Sequence, residues 1–199
     1  MIELRRVCVF AGSSPGAHSE YLDVARALGR ALAGRNYELV YGGANVGLMS
    51  AVANSVLENE GHVIGVIPEA LVEREVVHRG LSDLRVVRTM HERKGLMAEL
   101  SDGFIGLPGG LGTIEEFFEV FTWTQLGLHS KPCGLLNVYG YYERLIQFLD
   151  HAVEERFLKP EHRAMLLVEQ EPQTLLDHFT YCLAPKMDKC LDRSGTSTN

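Results

Sequence analysis

The stretch that decides the fold reads Leu107-Pro108-Gly109-Gly110-Leu111-Gly112-Thr113-Ile114-Glu115-Glu116. It joins an apolar, strand-like run, which ends at Leu107, to the first turn of an amphipathic helix. Glycines at such a junction let the backbone adopt positive φ angles and approach a ligand closely. The helix that follows presents unpaired N–H groups and the positive end of its dipole, which together favour a phosphate. We therefore predict a phosphate site at this junction.

Two carboxylates, Glu115 and Glu116, follow the glycines directly. Negative charge is unfavourable beside a phosphate alone, but it suits a neutral sugar or a developing positive charge next to that phosphate. The combination indicates a nucleotide with chemistry at its ribose. A structural alternative stays open, because Thr113-x-x-Glu116 has the spacing of a capping box, in which Glu116 binds the backbone N–H of Thr113.

The rest of the chain alternates apolar, strand-like runs with helical segments of about 10 to 15 residues, which predicts βαβ units. Because the strands are continuously apolar, we expect a parallel sheet with helices on both faces. The predicted fold is α/β, a Rossmann-like doubly wound sheet in a single domain over residues 1–187, followed by a disordered tail over 188–199. The predicted strands are 7–10, 38–41, 63–67, 84–87, 104–107 and, as the last strand, 133–136; the predicted helices are 19–33, 48–60, 91–101, 114–126, 141–155 and 172–183.

Three loops rich in glycine or serine follow predicted strands, at 11–16, 42–47 and 108–113. Loops at the carboxyl ends of parallel strands meet at one edge of the sheet, so we expect these three to converge on one crevice. Neither of the first two has the GxGxxG spacing, and no Walker A lysine follows any of them, which argues against NAD and ATP chemistry. A tight turn explains one glycine loop; three at equivalent positions indicate a nucleotide or sugar-phosphate site. The candidate binding residues from these loops are Ser13, Gly43 and Gly109.

Two basic residues, Arg93 and Lys94, lie at the start of the helix predicted after Met90. Cations in the first turn of a helix oppose its dipole. Their spacing to Met97 also places both on the buried face of the helix. We therefore predict buried anionic partners for them. The alternative is that their aliphatic stems lie along an apolar surface while the charged ends reach solvent.

The composition is that of an ordinary globular protein, with 199 residues, 46% hydrophobic and 23% charged. A net charge of −7 and the absence of long basic runs argue against a nucleic-acid or membrane partner. Without a leader or an apolar run of about 18 residues, we expect a cytoplasmic location. The eight histidines and four cysteines form no zinc-binding pattern, so no metal is expected, and Cys8 and Cys133 are expected to be reduced core residues.

The two motifs together resemble the LONELY GUY (LOG) family, the cytokinin riboside 5′-monophosphate phosphoribohydrolases, which were long labelled lysine decarboxylases. The family pattern is M-x-x-R-K followed by PGGxGTxxE. It stands here as Met90-His91-Glu92-Arg93-Lys94 and Pro108 to Glu116. The resemblance extends over about residues 7–183 and shows no departure at the motif positions.

This resemblance implies hydrolysis of the N-glycosidic bond of an adenosine 5′-monophosphate, commonly N6-substituted, to the free base and ribose 5-phosphate. The activity would be cytokinin-activating, AMP nucleosidase, or both. The family pattern implies Arg93 and Glu116 as the catalytic pair, a homodimer, and no metal or organic cofactor. The substrate contacts that it implies are Glu75, Lys94, Gly110, Leu111, Gly112, Thr113, Glu115 and Thr122.

Two other classes of function fit the sequence less well. A non-catalytic nucleotide carrier or sensor, similar to the molybdenum-cofactor carriers of this fold, would keep the glycines but would not need Arg93 together with Glu116. A pyridoxal-dependent decarboxylase would need a Schiff-base lysine. Of the five lysines, only Lys94 lies near a motif, at a position expected to bind phosphate.

Overall fold

The computed structural model of the chain describes residues 4–72, 77–81 and 83–181, and in these ranges seven parallel strands form one sheet. The order of the strands across the sheet is β4-β3-β2-β1-β5-β6-β7. The strands are β1 Arg6–Phe10, β2 Glu38–Tyr41, β3 Val63–Pro68, β4 Asp83–Val87, β5 Gly103–Gly106, β6 Cys133–Leu136 and β7 Leu166–Glu169. The helices are α1 Ser19–Gly34, α2 Gly47–Glu58, α3 Glu69–Val72, α4 Met90–Leu100, α5 Leu111–Gln125, α6 Glu143–Glu154, α7 Pro160–Ala164 and α8 Pro172–Tyr181.

The strand order reverses between β1 and β5. The chain runs outward from β1 to β4 and then returns to place β5 on the other side of β1. Phe10 at the end of β1 pairs with Gly106 at the end of β5. The loops that leave these two strands are therefore neighbours, and Gly12 N donates to the Pro108 carbonyl at 3.0 Å. Such a reversal opens a crevice at the carboxyl edge of the sheet, where ligands bind in this class of fold.

Helices cover both faces of the sheet, as the apolar strands predict. One apolar layer is filled from α1, α2 and α8, and the other from α4, α5 and α6. Gly29 lets α1 and α2 pack closely, because an added Cβ there would lie 2.7 Å from the Val52 carbonyl oxygen. Cys8 and Cys133 are buried in the second layer and, among the described residues, neither is part of a disulfide, which confirms the prediction for both.

The six predicted strands are confirmed to within about two residues, but the prediction that 133–136 is the last strand was wrong. Strand β7 follows it at Leu166–Glu169 and occupies an edge of the sheet. Because this edge strand is short and mostly half-buried, its apolar residues predict a strand only weakly. The predicted tail over 188–199 lies outside the described residues. Within the described ranges, no helix is long and apolar enough to cross a bilayer.

Candidate active site

Helix α5 begins at Leu111, three residues before the start that the sequence predicts. Gly110 is its N-cap, with extended backbone at φ −85° and ψ −157°. The capping-box interpretation was therefore wrong, since Thr113 is the third residue of the helix instead of its cap. A glycine serves well as an N-cap, so the helix can start within the glycine loop and no hydroxyl cap is needed. The carboxylate of Glu116 is consequently free to face a different partner.

That partner is Arg93. Arg93 Nη1 donates to Oε1 of Glu116 at 3.1 Å, and the two side chains are only 10% and 14% exposed. The same guanidinium donates from Nε to the carbonyl of Val66, within β3, at 3.2 Å. The buried anionic partner predicted for Arg93 is thus confirmed, and the contact joins α4 to α5 across the crevice.

Burial dominates the electrostatics of this pair. It raises the pKa of the Glu116 carboxyl above its ordinary value, and the charge of Arg93 opposes this rise in part. A buried carboxylate of this kind is poorly solvated and more basic than an ordinary glutamate. It is therefore suited to bind a proton, a water hydrogen or a developing positive charge.

Lys94 lies beside this pair but binds other carboxylates. Its Nζ donates to Glu115 at 2.6 Å and to Glu119 at 3.0 Å, and its side chain is 12% exposed. The hydrogen bond to Glu115 is the main cause that raises the pKa of Lys94, so the ammonium group stays charged. The anionic partners predicted for Lys94 are therefore present, but the prediction that they are buried was wrong, since the Glu115 and Glu119 side chains are 56% and 27% exposed. The neighbouring Thr122 hydroxyl donates to the Phe118 carbonyl in its own helix at 2.6 Å.

A cavity of about 300 Å³ opens in front of Arg93 and Glu116. Its walls combine the loop after β1, the start of α2 and the first turn of α5. The lining residues are Ala11, Ser13, Met49, Arg93, Gly110, Leu111, Gly112, Thr113 and Glu116. The structure thus brings together several residues that the sequence singles out, namely Arg93, Glu116, Ser13 and the first turn of α5.

A second cavity of about 270 Å³ lies against the same glycine loop. It shares Ser13 and Gly110 with the first cavity. Gly109, predicted from the glycine pattern, lines this second cavity together with Tyr21 and Tyr141. The glycine loop therefore has two accessible sides.

The second glycine loop supports the site through a residue that the sequence analysis did not select. Gly42 lies directly against the Arg93 guanidinium, and an added Cβ at this position would collide with Arg93 Nη2. Gly43 instead lies against the Ile67 side chain, and its carbonyl accepts from His78 N at 3.1 Å. The paired glycines mark the turn in the sequence, but only the path of the backbone shows which one faces Arg93.

Ala11 and Met49 also line the first cavity, although the sequence did not mark either of them as a candidate binding residue. Glu75 lies outside the described residues. Within the part of the chain that the structure describes, no group of three or more His, Cys, Asp or Glu side chains could hold a metal ion.

Comparison with known proteins identifies the family. A family model described as "Possible lysine decarboxylase" matches residues 49–179. The chain is 46% identical over 202 residues to cytokinin riboside 5′-monophosphate phosphoribohydrolase LOG3 of Arabidopsis thaliana, with 98% of this chain and 94% of the relative covered. It is 52% identical over 165 residues to the cytokinin riboside 5′-monophosphate phosphoribohydrolase of Rhodococcoides fascians, with 82% and 83% covered. The chain belongs to the LOG family.

The LOG-family chain also shares its fold with solved structures of molybdenum cofactor proteins. The molybdenum cofactor binding protein of Rippkaea orientalis superposes with a TM-score of 0.68 at 22% identity, over 91% of this chain and 98% of that one. The molybdenum cofactor carrier protein of Chlamydomonas reinhardtii gives 0.65 at 19% identity, over 88% and 96%. These likenesses confirm the predicted fold and carry no information on activity.

Proposed function

We propose that this LOG-family protein hydrolyses the N-glycosidic bond of adenosine 5′-monophosphates, including N6-substituted ones, to the free base and ribose 5-phosphate. The observation that carries the proposal is the buried contact between Arg93 and Glu116 in the wall of a cavity that also contains the start of α5. A phosphate bound at the helix start would place the attached ribose within reach of Glu116. The names of the relatives support the same reaction.

Glu116 is the group that acts at the sugar. As the bond between C1′ and the purine nitrogen breaks, its electron pair leaves with the base and positive charge develops on C1′. The carboxylate of Glu116 stabilises that charge and orients a water molecule for attack on C1′. The attacking water loses one proton, and the departing base gains one.

Arg93 acts as a hydrogen-bond donor and not as the acid. A guanidinium holds its proton with a pKa above about 12, too tightly to deliver it to a leaving purine. Its fork of N–H groups can bind the base or the phosphate while it also holds Glu116. Water supplies the proton to the base in this mechanism.

The 5′-phosphate is held by the start of α5. The N–H groups of the first residues of a helix lack partners within the helix, and the dipole adds a favourable positive potential. Gly110, Leu111, Gly112 and Thr113 carry these groups and line the cavity. We therefore expect the enzyme to cleave nucleotides much faster than nucleosides.

The remaining substrate contacts come from the family pattern alone. They are Glu75, Lys94, Glu115 and Thr122. Ser13, Gly43 and Gly109 are proposed from the glycine loops instead, and of these Ser13 lines the cavity of Arg93 and Glu116. The pairing of Lys94 with Glu115 and Glu119 supports a role in neutralising the carboxylates around Glu116. The same pattern implies a homodimer, which light scattering during size-exclusion chromatography would detect as twice the chain mass of 22.1 kDa.

The decisive experiment measures released base by chromatography. Purified protein is incubated with AMP, N6-isopentenyl-AMP and adenosine, beside the variants Glu116→Gln and Glu99→Gln. Glu99 is an exposed carboxylate on α4 and serves as the matched control. We expect base from both nucleotides, a loss of at least about 100-fold in Glu116→Gln, and no loss in Glu99→Gln.

Two results would contradict parts of this proposal. Nucleotide binding without any release of base would favour a carrier or sensor. Equal cleavage of AMP and adenosine would contradict the role of the α5 start as a phosphate anchor.

A further inference from the structure

Two adjacent tyrosines hold carbonyl groups of the glycine loop from outside the Arg93 cavity. Tyr142 Oη donates to the Leu107 carbonyl at 2.6 Å, and Tyr141 Oη donates to the Gly109 carbonyl at 2.5 Å. The carbonyl of Pro108, between these two, accepts from the backbone of the loop after β1 at 3.0 Å. Three consecutive carbonyls of the loop are therefore each held by a donor.

The bond from Tyr141 has a consequence for the next peptide N–H. In a planar trans peptide, the carbonyl of one residue and the N–H of the next point in opposite directions. Because Tyr141 holds the Gly109 carbonyl, the N–H of Gly110 must point away from Tyr141. Gly110 lines both cavities and Tyr141 lines only the second, so the side of Gly110 away from Tyr141 borders the cavity of Arg93 and Glu116.

Without such a restraint, this peptide would rotate easily. Gly109 and Gly110 lack side chains and have access to more of φ/ψ space than other residues. Gly110 is also the N-cap of α5, so helical hydrogen bonds do not fix the orientation of its own N–H. The hydroxyl of Tyr141 supplies the missing restraint.

The Tyr141 ring is itself held in place. It packs edge-on against Tyr142, with ring centroids 4.9 Å apart, and against Tyr21 at 5.8 Å. The turn before it has left-handed backbone at Tyr139 and Gly140, with φ of 52° and 70°. This turn lets the successive side chains of Tyr141 and Tyr142 both contact the glycine loop. In a β-strand, two successive side chains would point to opposite faces.

We propose that Tyr141 is a positioning residue that aims the Gly110 N–H at the 5′-phosphate of the nucleotide. The inference rests on the proposed function and deepens it, since it assigns a determinant of phosphate dependence outside the motifs. Tyr142 has a different role, because its hydroxyl is buried and holds the end of β5, where its loss affects folding.

The test compares Tyr141→Phe with Tyr139→Phe. Tyr139 is 65% exposed and lies two residues away, which makes it a matched control. The readouts are kcat/KM for AMP, kcat/KM for adenosine, the Kd of inorganic phosphate by calorimetry, and Tm. For Tyr141→Phe we expect kcat/KM for AMP to fall about three- to ten-fold and the phosphate Kd to rise by a similar factor, as for one hydrogen bond. Adenosine cleavage and Tm stay unchanged.

Several outcomes would overturn the inference. Equal losses with AMP and adenosine would show a general structural effect, and an unchanged phosphate Kd would show that Tyr141 does not orient the loop. If the wild type cleaves no nucleotide, the proposed function fails by itself. The phosphate Kd of Tyr141→Phe against wild type then still decides the role of Tyr141.

Discussion

Arg93 Nη1 lies 3.1 Å from Glu116 Oε1, and this contact connects the two helices that carry the two sequence motifs. Each motif starts its helix close to the carboxyl edge of the sheet, α4 after β4 and α5 after β5. A second hydrogen bond ties the guanidinium to the carbonyl of Val66, within β3. The pair therefore rests on rigid elements, which favours precise placement of the groups that act on a substrate.

Replacing Arg93 by Lys should remove most of the activity even though the charge is kept. The guanidinium binds Glu116 and the Val66 carbonyl through different nitrogens at the same time, whereas a lysine has one nitrogen on a flexible stem. We expect kcat/KM for AMP to fall at least about ten-fold. Steady-state kinetics of Arg93→Lys measure this, and near-normal activity would show that charge alone matters.

The pH dependence of kcat/KM should follow the ionisation of the buried Glu116 carboxyl. Burial raises its pKa above the ordinary value of about 4.3, and the reaction needs the ionised form. The acid limb of kcat/KM should therefore lie above the range of an ordinary glutamate. In Arg93→Gln the opposing positive charge is lost, so the pKa rises further and the limb moves to higher pH. A limb that stays in place or moves down would contradict the assignment.

Gly42→Ala should reduce activity more than stability. The added methyl group would collide with Arg93 Nη2, so the guanidinium must leave the position in which it binds Glu116 and Val66. Since the displaced group is the end of a long side chain, the fold can adapt while the site geometry is lost. We expect kcat/KM to fall by about ten-fold or more, because small misplacements of reacting groups are costly.

The control for this variant is Gly34→Ala. Gly34 ends α1, and an added Cβ there meets nothing within 4 Å. Activity of this control should equal that of the wild type. A loss in both variants, or a large fall in Tm for Gly42→Ala alone, would show that the effect is not specific to Arg93.

His129 should make the fold less stable at mildly acidic pH. Burial, aided by the charge of Lys131, lowers the pKa of His129 to about 4. An unfolded histidine binds its proton near pH 6.5. Between these values the unfolded state binds more protons, so the free energy of unfolding falls as pH drops from about 6.5 to about 4.

Urea denaturation at pH 7.5 and pH 5 measures this dependence. His129→Gln should lose less stability between the two pH values than the wild type. The exposed His151 is the control, and His151→Gln should behave as the wild type. An identical pH dependence in all three proteins would exclude His129 as its source.

Much of the site was predictable because its residues stand in short, local patterns. Basic residues at an unfavourable helix start and carboxylates after a glycine loop marked Arg93 and Glu116 as candidates, and the family pattern implied that they act as a pair. Their contact was not predictable from spacing, because 23 positions separate them and only the sheet brings their helices together. The competing capping-box interpretation failed for a related reason, since the helix start depends on backbone geometry at Gly110.

The sequence by itself determined the alternation of strands and helices, the parallel sheet, the buried cysteines and the family, because hydrophobic period and glycine spacing are local signals. Only the tertiary structure decided that Gly42 instead of Gly43 lies against Arg93, that Lys94 binds Glu115 and Glu119, and that Tyr141 holds the glycine loop. These contacts join residues far apart in the chain. Their partners are set by how strands and helices pack, which no local pattern records.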